Sequence, residues 1–228
     1  MDFGFIKEYY PYYLEGINYT IILAFFTILL GIIFGLALCL MKLCNNKVIR
    51  TIATAYIEFI RGTPVLVQLL IIYYGLPAIG INFDNLSFLG SSSPDLISAI
   101  ITLSLNSAAY VAEIIRAGIE AVDKGQMEAA RSLGMSKIMA MKYIIIPQGI
   151  RNILPALGNE FITIIKESSI VSVIGIKELM YNADIVRSIT FKPFEPLIVA
   201  AVIYFVLTFS LSKLVAYFER RMKVSDSY

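Results

Sequence analysis

Asn106, Tyr110 and Glu113 stand at i, i+4 and i+7 of an apolar stretch, so a helix would carry all three on one face. Glu160, Thr163 and Glu167 share a face in the same way further along the chain. Carboxylates held away from bulk water can balance an ammonium or a guanidinium, and an amide can take a carboxylate or an amine. Two such stripes facing each other would line a hydrophilic passage for a small zwitterion, with Glu160 and Asn106 the leading candidates for contact. The same groups could instead satisfy one another across helix interfaces, and residue types alone leave both readings open. Glu58 and Arg61 are a further candidate pair, three apart beside Gly62, Thr63 and Pro64, where they could neutralise each other at a break in the chain. Glu58, Glu160 and Glu167 against Arg61 and Lys166 make a slight acidic excess, which leans toward a cationic ligand. Glu113, Arg116 and Glu120 have the spacing of local ion pairs and read mainly as structural.

Several chemistries are excluded. There is no His and no GxxxxGK[ST] phosphate loop, so the chain has neither a His-based catalytic pair nor the usual means of binding ATP. Cys39 and Cys44 lack a second pair, which argues against a zinc site or a disulfide framework. A net charge of +2 is too small to suggest nucleic-acid binding. No catalytic residue, metal site or resident cofactor is expected.

The elements that must position these residues are membrane helices. The 228 residues are 58% hydrophobic and 16% charged, with a mean hydropathy of +0.76, too apolar for a water-soluble domain with one core. Residues 16–41 carry no charge, and about 20 apolar residues cross a hydrocarbon core about 30 Å thick. Further spans are expected at about 51–80, 94–120, 153–176 and 196–218, giving an all-α, five-span integral membrane protein in one domain, residues 1–228. The second should kink or unwind near Arg61 to Pro64, because proline removes a donor and disfavours helix at the residue before it. The fourth holds Glu160, Lys166 and Glu167 and should face protein or water. Residues 82–95 read as a loop at a membrane face. Gly31 and Gly35 form a small-xxx-small pair suited to close helix packing. The N-terminus does not read as a cleavable signal peptide. Thirteen of the 19 Lys and Arg fall in residues 42–50, 116–151 and the tail from 213, and the positive-inside rule therefore places the N-terminus outside and the C-terminus in the cytoplasm.

The longest charge-rich interval lies at about 121–150 and includes EAARSLGMSKIMAMKYIIIP, which starts at Glu128 and ends at Pro147. A short amphipathic helix followed by a permissive Gly is a suitable knob for a groove on a soluble partner. Glu128, Ala129, Ala130, Gly134, Ile144, Ile146 and Pro147 resemble, at the right spacing, the cytoplasmic EAA loop of permease subunits from ATP-binding-cassette (ABC) importers. The usual Leu before the proline is Ile146. Residues 58–70, 106–120 and 158–169 resemble the polar amino acid branch of these permeases, so the resemblance covers nearly the whole chain. It implies a type I importer permease fold in the plasma membrane, in which Glu128, Ala129, Ala130, Arg131, Gly134 and Pro147 belong to a coupling helix seated in an ATP-binding subunit. It also implies a second permease subunit, identical or not, and an extracytoplasmic substrate-binding protein. ATP and Mg would be bound by the ATPase partner, and a polar amino acid would cross by alternating access. An ion-coupled secondary carrier, using the broken second helix and the charged fourth, is the alternative.

Overall fold

Pro11 is the only proline within the first helix, α1 (Ile6–Leu43), and it lies in the second turn, before the apolar span begins. At 1.5 Å per residue the helix is about 57 Å long, far more than a bilayer core needs. The apolar span expected at 16–41 is thus only part of it. The tyrosine-rich turns before that span pack Phe5 and Tyr13 against Leu179, Ala183, Val186 and Ala200. The computed structural model describes residues 1–81 and 93–224, whose regular elements are all helices, with no strand among the described residues. Most of the expected loop at 82–95 therefore lies outside the described residues.

α1 lies along α4 (Ser93–Glu120), and small residues set their separation. A Cβ on Gly31 would stand 2.9 Å from Ser107 Oγ, and one on Gly35 would stand 2.7 Å from Val111 Cγ1. The glycine pair is thus a packing device within the subunit. α4 is the central helix, with 61% of its apolar window buried, whereas α9 (Glu195–Val224) buries only 6% and forms the periphery.

Asn46 caps α2 (Lys47–Gly62), its side chain accepting from the N–H groups of Val48 and Ile49. Pro64 forces Thr63 into extended backbone, and α3 (Val65–Ala78) leaves at 108° to α2. The break expected near Arg61 to Pro64 is present and is sharper than a kink.

The segment after α4 comprises α5 (Lys124–Ser132), α6 (Lys137–Ala140), a π turn (Met141–Ile145) and α7 (Ile146–Glu167). The helix does not end at Pro147. The Ile146 N–H reaches back to Met141 O, and this widened turn accommodates the proline, which can neither donate nor tolerate a normal turn behind it. Nor does the next helix run from 153 to 176. It starts at Ile146 and stops at Glu167, where Ser168, Ser169 and Ser172 hydroxyls donate to the carbonyls of Ile165, Lys166 and Ser169 at 2.8, 2.8 and 2.7 Å. These local bonds compete with the helical ladder, and residues Ser168–Ile174 continue as a 3-10 helix.

α8 (Leu179–Thr190) is a helix not expected from the sequence. It is capped by Glu178, which is fully buried and accepts from the N–H groups of Met180 and Tyr181 and from the Tyr204 hydroxyl of α9. Burial pushes this carboxyl up to about 7 despite those donors. By length and composition α1, α4 and α9 can each cross a membrane, as can the bent pair α2 and α3 if it is one span.

Candidate substrate passage and coupling segment

The two polar stripes meet at the middle of α4, through neighbouring residues. Asn106 is 7% exposed, and its Nδ2 donates to Gln68 Oε1 of α3 at 2.9 Å. Ser107, a position later, points toward α1 and α7 and donates to Glu160 Oε1 at 3.0 Å. Asn106 and Ser107 thus present adjoining faces of α4, one to Gln68 of α3 and the other to Glu160 of α7, and Asn106 and Glu160 do not bond to each other. Glu160 is half-buried, and no cation pairs with it among the described residues.

Glu113 continues the α4 stripe by spacing and has different surroundings. Lys42 of α1 donates to one of its oxygens, and Arg116 makes two bonds to the other at 3.1 and 2.8 Å. Arg116 also bonds Glu120. Its structural role, expected from spacing, is what the geometry shows.

Glu58 and Arg61 do not pair. Arg61 instead lies over the Tyr110 ring, 5.6 Å from its centroid, where the aromatic face offers a cation a weakly hydrated seat. Glu58 is exposed and makes no ion pair among the described residues. The spacing allowed the pair, but the packing of α2 against α4 brings Arg61 to Tyr110.

Thr163 and Glu167 lie apart from the inner group. They line a cavity of about 400 Å³ with Val65, Lys166, Ser169 and Ile170, between the start of α3 and the end of α7. Seven helical residues separate Glu167 from Glu160, a rise of about 10 Å.

The candidate coupling segment, α5 and α6 with the turn between them, forms a short knob with a defined base. Asp123 caps α5 by accepting from the Gly125 N–H at 2.7 Å. Ala130 and Ala140 are buried where α5 meets α6, while Glu128, Ala129 and Arg131 are exposed. Gly134 has φ +84°, a left-handed conformation that lets the chain reverse between the two helices. Arg131 Nη1 donates to Met135 O at 2.7 Å and braces that turn. Gln148 donates to Gln126 at 3.3 Å and ties the knob's base to α7, while Asn152 donates to Gly118 O at 3.2 Å and ties that part of α7 to α4. Leu133 and Ile138, 84% and 80% exposed, project beside Gly134 as an apolar tip. Pro147 belongs to the first turn of α7 rather than to the knob.

Gln68, Ser107, Leu133 and Ile138 were not singled out from sequence. Gln68 lies in the polar amino acid permease-like stretch 58–70, and Leu133 directly precedes the turn glycine. Those were the available signals.

Long apolar helices with buried amides and carboxylates between them are the architecture of an integral membrane subunit. Residues 27–224 match the family described as the binding-protein-dependent transport system inner membrane component, and the chain belongs to it. It is 41% identical over 226 residues to the arginine transport system permease protein ArtQ of Bacillus subtilis (strain 168), covering 99% of each chain. It is also 41% identical to the putative glutamine transport system permease protein GlnP of Rickettsia bellii (strain RML369-C), covering 98% of this chain and 100% of that one. Among solved structures, the crystal structure of an amino acid ABC transporter with histidines matches with a TM-score of 0.90 and 52% identity, over 97% of this chain and 99% of that one. The chain is an amino acid ABC transporter permease subunit.

Proposed function

We propose that the chain carries cationic amino acids inward by alternating access, through a passage lined by Asn106 and Glu160. The supporting observation is the contrast between two carboxylates. Glu113 has two cations, whereas Glu160 has a hydroxyl donor and no counter-charge among the described residues. A carboxylate held off from water without a partner is costly, and a guanidinium or ammonium from the substrate would supply the missing charge. The relative named for arginine and the solved transporter with histidines support a basic substrate. Relatives named for glutamine make polarity the broader requirement.

In this reading the chain has five spans, α7 counting as the fourth. It pairs with a second permease, and α5 docks its Leu133 and Ile138 tip into an ATP-binding subunit that holds ATP and Mg. Nucleotide-driven closure then moves α4 and α7 through the bonds at the knob's base. An extracytoplasmic binding protein supplies the ligand. Family membership disfavours the ion-coupled carrier, because that mechanism needs no knob and no ATPase.

Glu160→Gln keeps the shape and removes the charge. Arginine uptake by the reconstituted complex should fall roughly tenfold or more, with assembly and basal ATP hydrolysis preserved. Unchanged uptake would eliminate Glu160 as a ligand, and loss of assembly together with uptake would make it a helix brace.

A further inference from the structure

Gln68 sits at the start of α3, 6% exposed, and uses both ends of its amide. Its Nε2 donates to Ile60 O at 2.8 Å, Thr63 O at 3.1 Å and Thr63 Oγ1 at 2.9 Å. The two carbonyls can only accept, and both belong to the broken end of α2, where Pro64 has removed the next helical donor. They therefore determine which way the Gln68 amide faces, with nitrogen toward the break and oxygen toward α4. That oxygen, in turn, can only accept. The Asn106 amide must consequently present its Nδ2 to Gln68 and turn its Oδ1 away. This Oδ1 takes no hydrogen bond among the described residues and is not one of the sealed, unsatisfied buried atoms.

We infer that Gln68 is a specificity-determining positioning residue, holding Asn106 so that the passage is offered its carbonyl oxygen and not its NH₂ group. The inference rests on the proposal that Asn106 contacts substrate. Asn106 and Glu160 are then both acceptors, which favours the donor-only cationic group of an amino acid and disfavours a carbonyl or carboxylate. The buried link also joins the 108° bend to the substrate passage, so a change in the bend would release Asn106.

Gln68→Met and Gln68→Glu separate the two functions of this side chain. Met removes both ends of the amide and frees Asn106 to rotate. Glu keeps an acceptor toward Asn106 and loses the donor to the Ile60 and Thr63 carbonyls. Uptake of labelled arginine by the reconstituted transporter, competed with citrulline, its neutral analogue bearing a carbonyl, is the measurement. In Gln68→Met the preference for arginine over citrulline should fall roughly tenfold through KM, whereas Gln68→Glu should retain the preference even if turnover slows. An unaltered preference in Gln68→Met overturns the inference. So does an equal loss of preference in both variants, which would make Gln68 a brace for the break. If Gln68→Met does not reach the membrane, Gln68→Glu decides alone: preference kept supports the inference, preference lost overturns it. Asn106→Ala, assayed in parallel, tests the underlying reading. Unchanged uptake there removes Asn106 from the passage, while a defect there beside a normal Gln68→Met defeats the positioning role only.

Discussion

Two carboxylates of the same type, Glu113 and Glu160, take opposite roles because of what stands opposite them. Lys42 and Arg116 enclose Glu113, whereas among the described residues Glu160 takes a hydrogen bond from Ser107 and pairs with no cation. Glu113→Gln would leave two part-buried cations short of their partner. It should cost about 1–3 kcal/mol of stability, seen as a lower melting temperature of the purified chain, and should not alter substrate preference. A changed preference with full stability would place Glu113 in the passage instead. Helical spacing was enough to put Asn106, Tyr110 and Glu113 on one face, and to pick out the Glu113, Arg116 and Glu120 ion pairs. It was not enough to find Gln68, because the Gln68 to Asn106 bond spans 38 residues and depends on the angle at Pro64. Spacing also favoured Glu58 with Arg61, and failed because a local rule cannot see a tyrosine delivered by another helix.

At the scale of the element, two turns carry testable consequences. Gly134 has open space around its missing Cβ, so any penalty for substitution arises from its positive φ alone. Gly134→Val should cost about 1–2 kcal/mol of local stability and loosen the α5 to α6 turn, whereas Gly134→Asn should be milder. Retention of the ATPase subunit and substrate-stimulated ATP hydrolysis would both drop in the Val variant. Wild-type values in both variants would mean that the knob does not couple. The cap of α8 responds to pH. The Glu178 carboxyl is pushed from near 4.5 up to about 7 by burial, so folding prefers its protonated form. That contribution is complete below about pH 4.5 and is lost as pH rises through about 7. The melting temperature of the purified chain should decline between about pH 5 and pH 8, and Glu178→Gln, neutral throughout, should flatten the decline. An identical slope in the variant would assign it to other groups. The break before α3 was legible because proline acts on its immediate neighbours. α8 was not, since twelve residues that include Asp184 and Arg187 carry no spanning signal and owe their order to α1 and α9. Likewise, the end of α7 was set by three serine hydroxyls, a local competition that hydropathy does not register.

At the scale of the whole molecule, the proposed coupling knob and the proposed substrate passage make sense only if they occupy opposite parts of a bilayer path, with the knob where ATP is available. The charge distribution argues for that arrangement. Lys and Arg concentrate at the C-terminal end of α1, in the segment from Arg116 to Arg151 and in the tail, while few lie near α8. α1 and α4 pack along their lengths, and the bonds from Gln148 to Gln126 and from Asn152 to Gly118 fix the knob beside the Glu113 cluster. These regions should therefore share one side. Ser136 and Ser188 are both exposed and lie in regions that the charge bias assigns to opposite sides. With Cys39 and Cys44 replaced, a membrane-impermeant maleimide should label Ser188→Cys in intact cells. It should reach Ser136→Cys only after the membrane is opened. Labelling of Ser136→Cys from outside would put the knob beyond any ATPase, and the reading of α5 as a coupling helix would fall with it, whatever the substrate residues do.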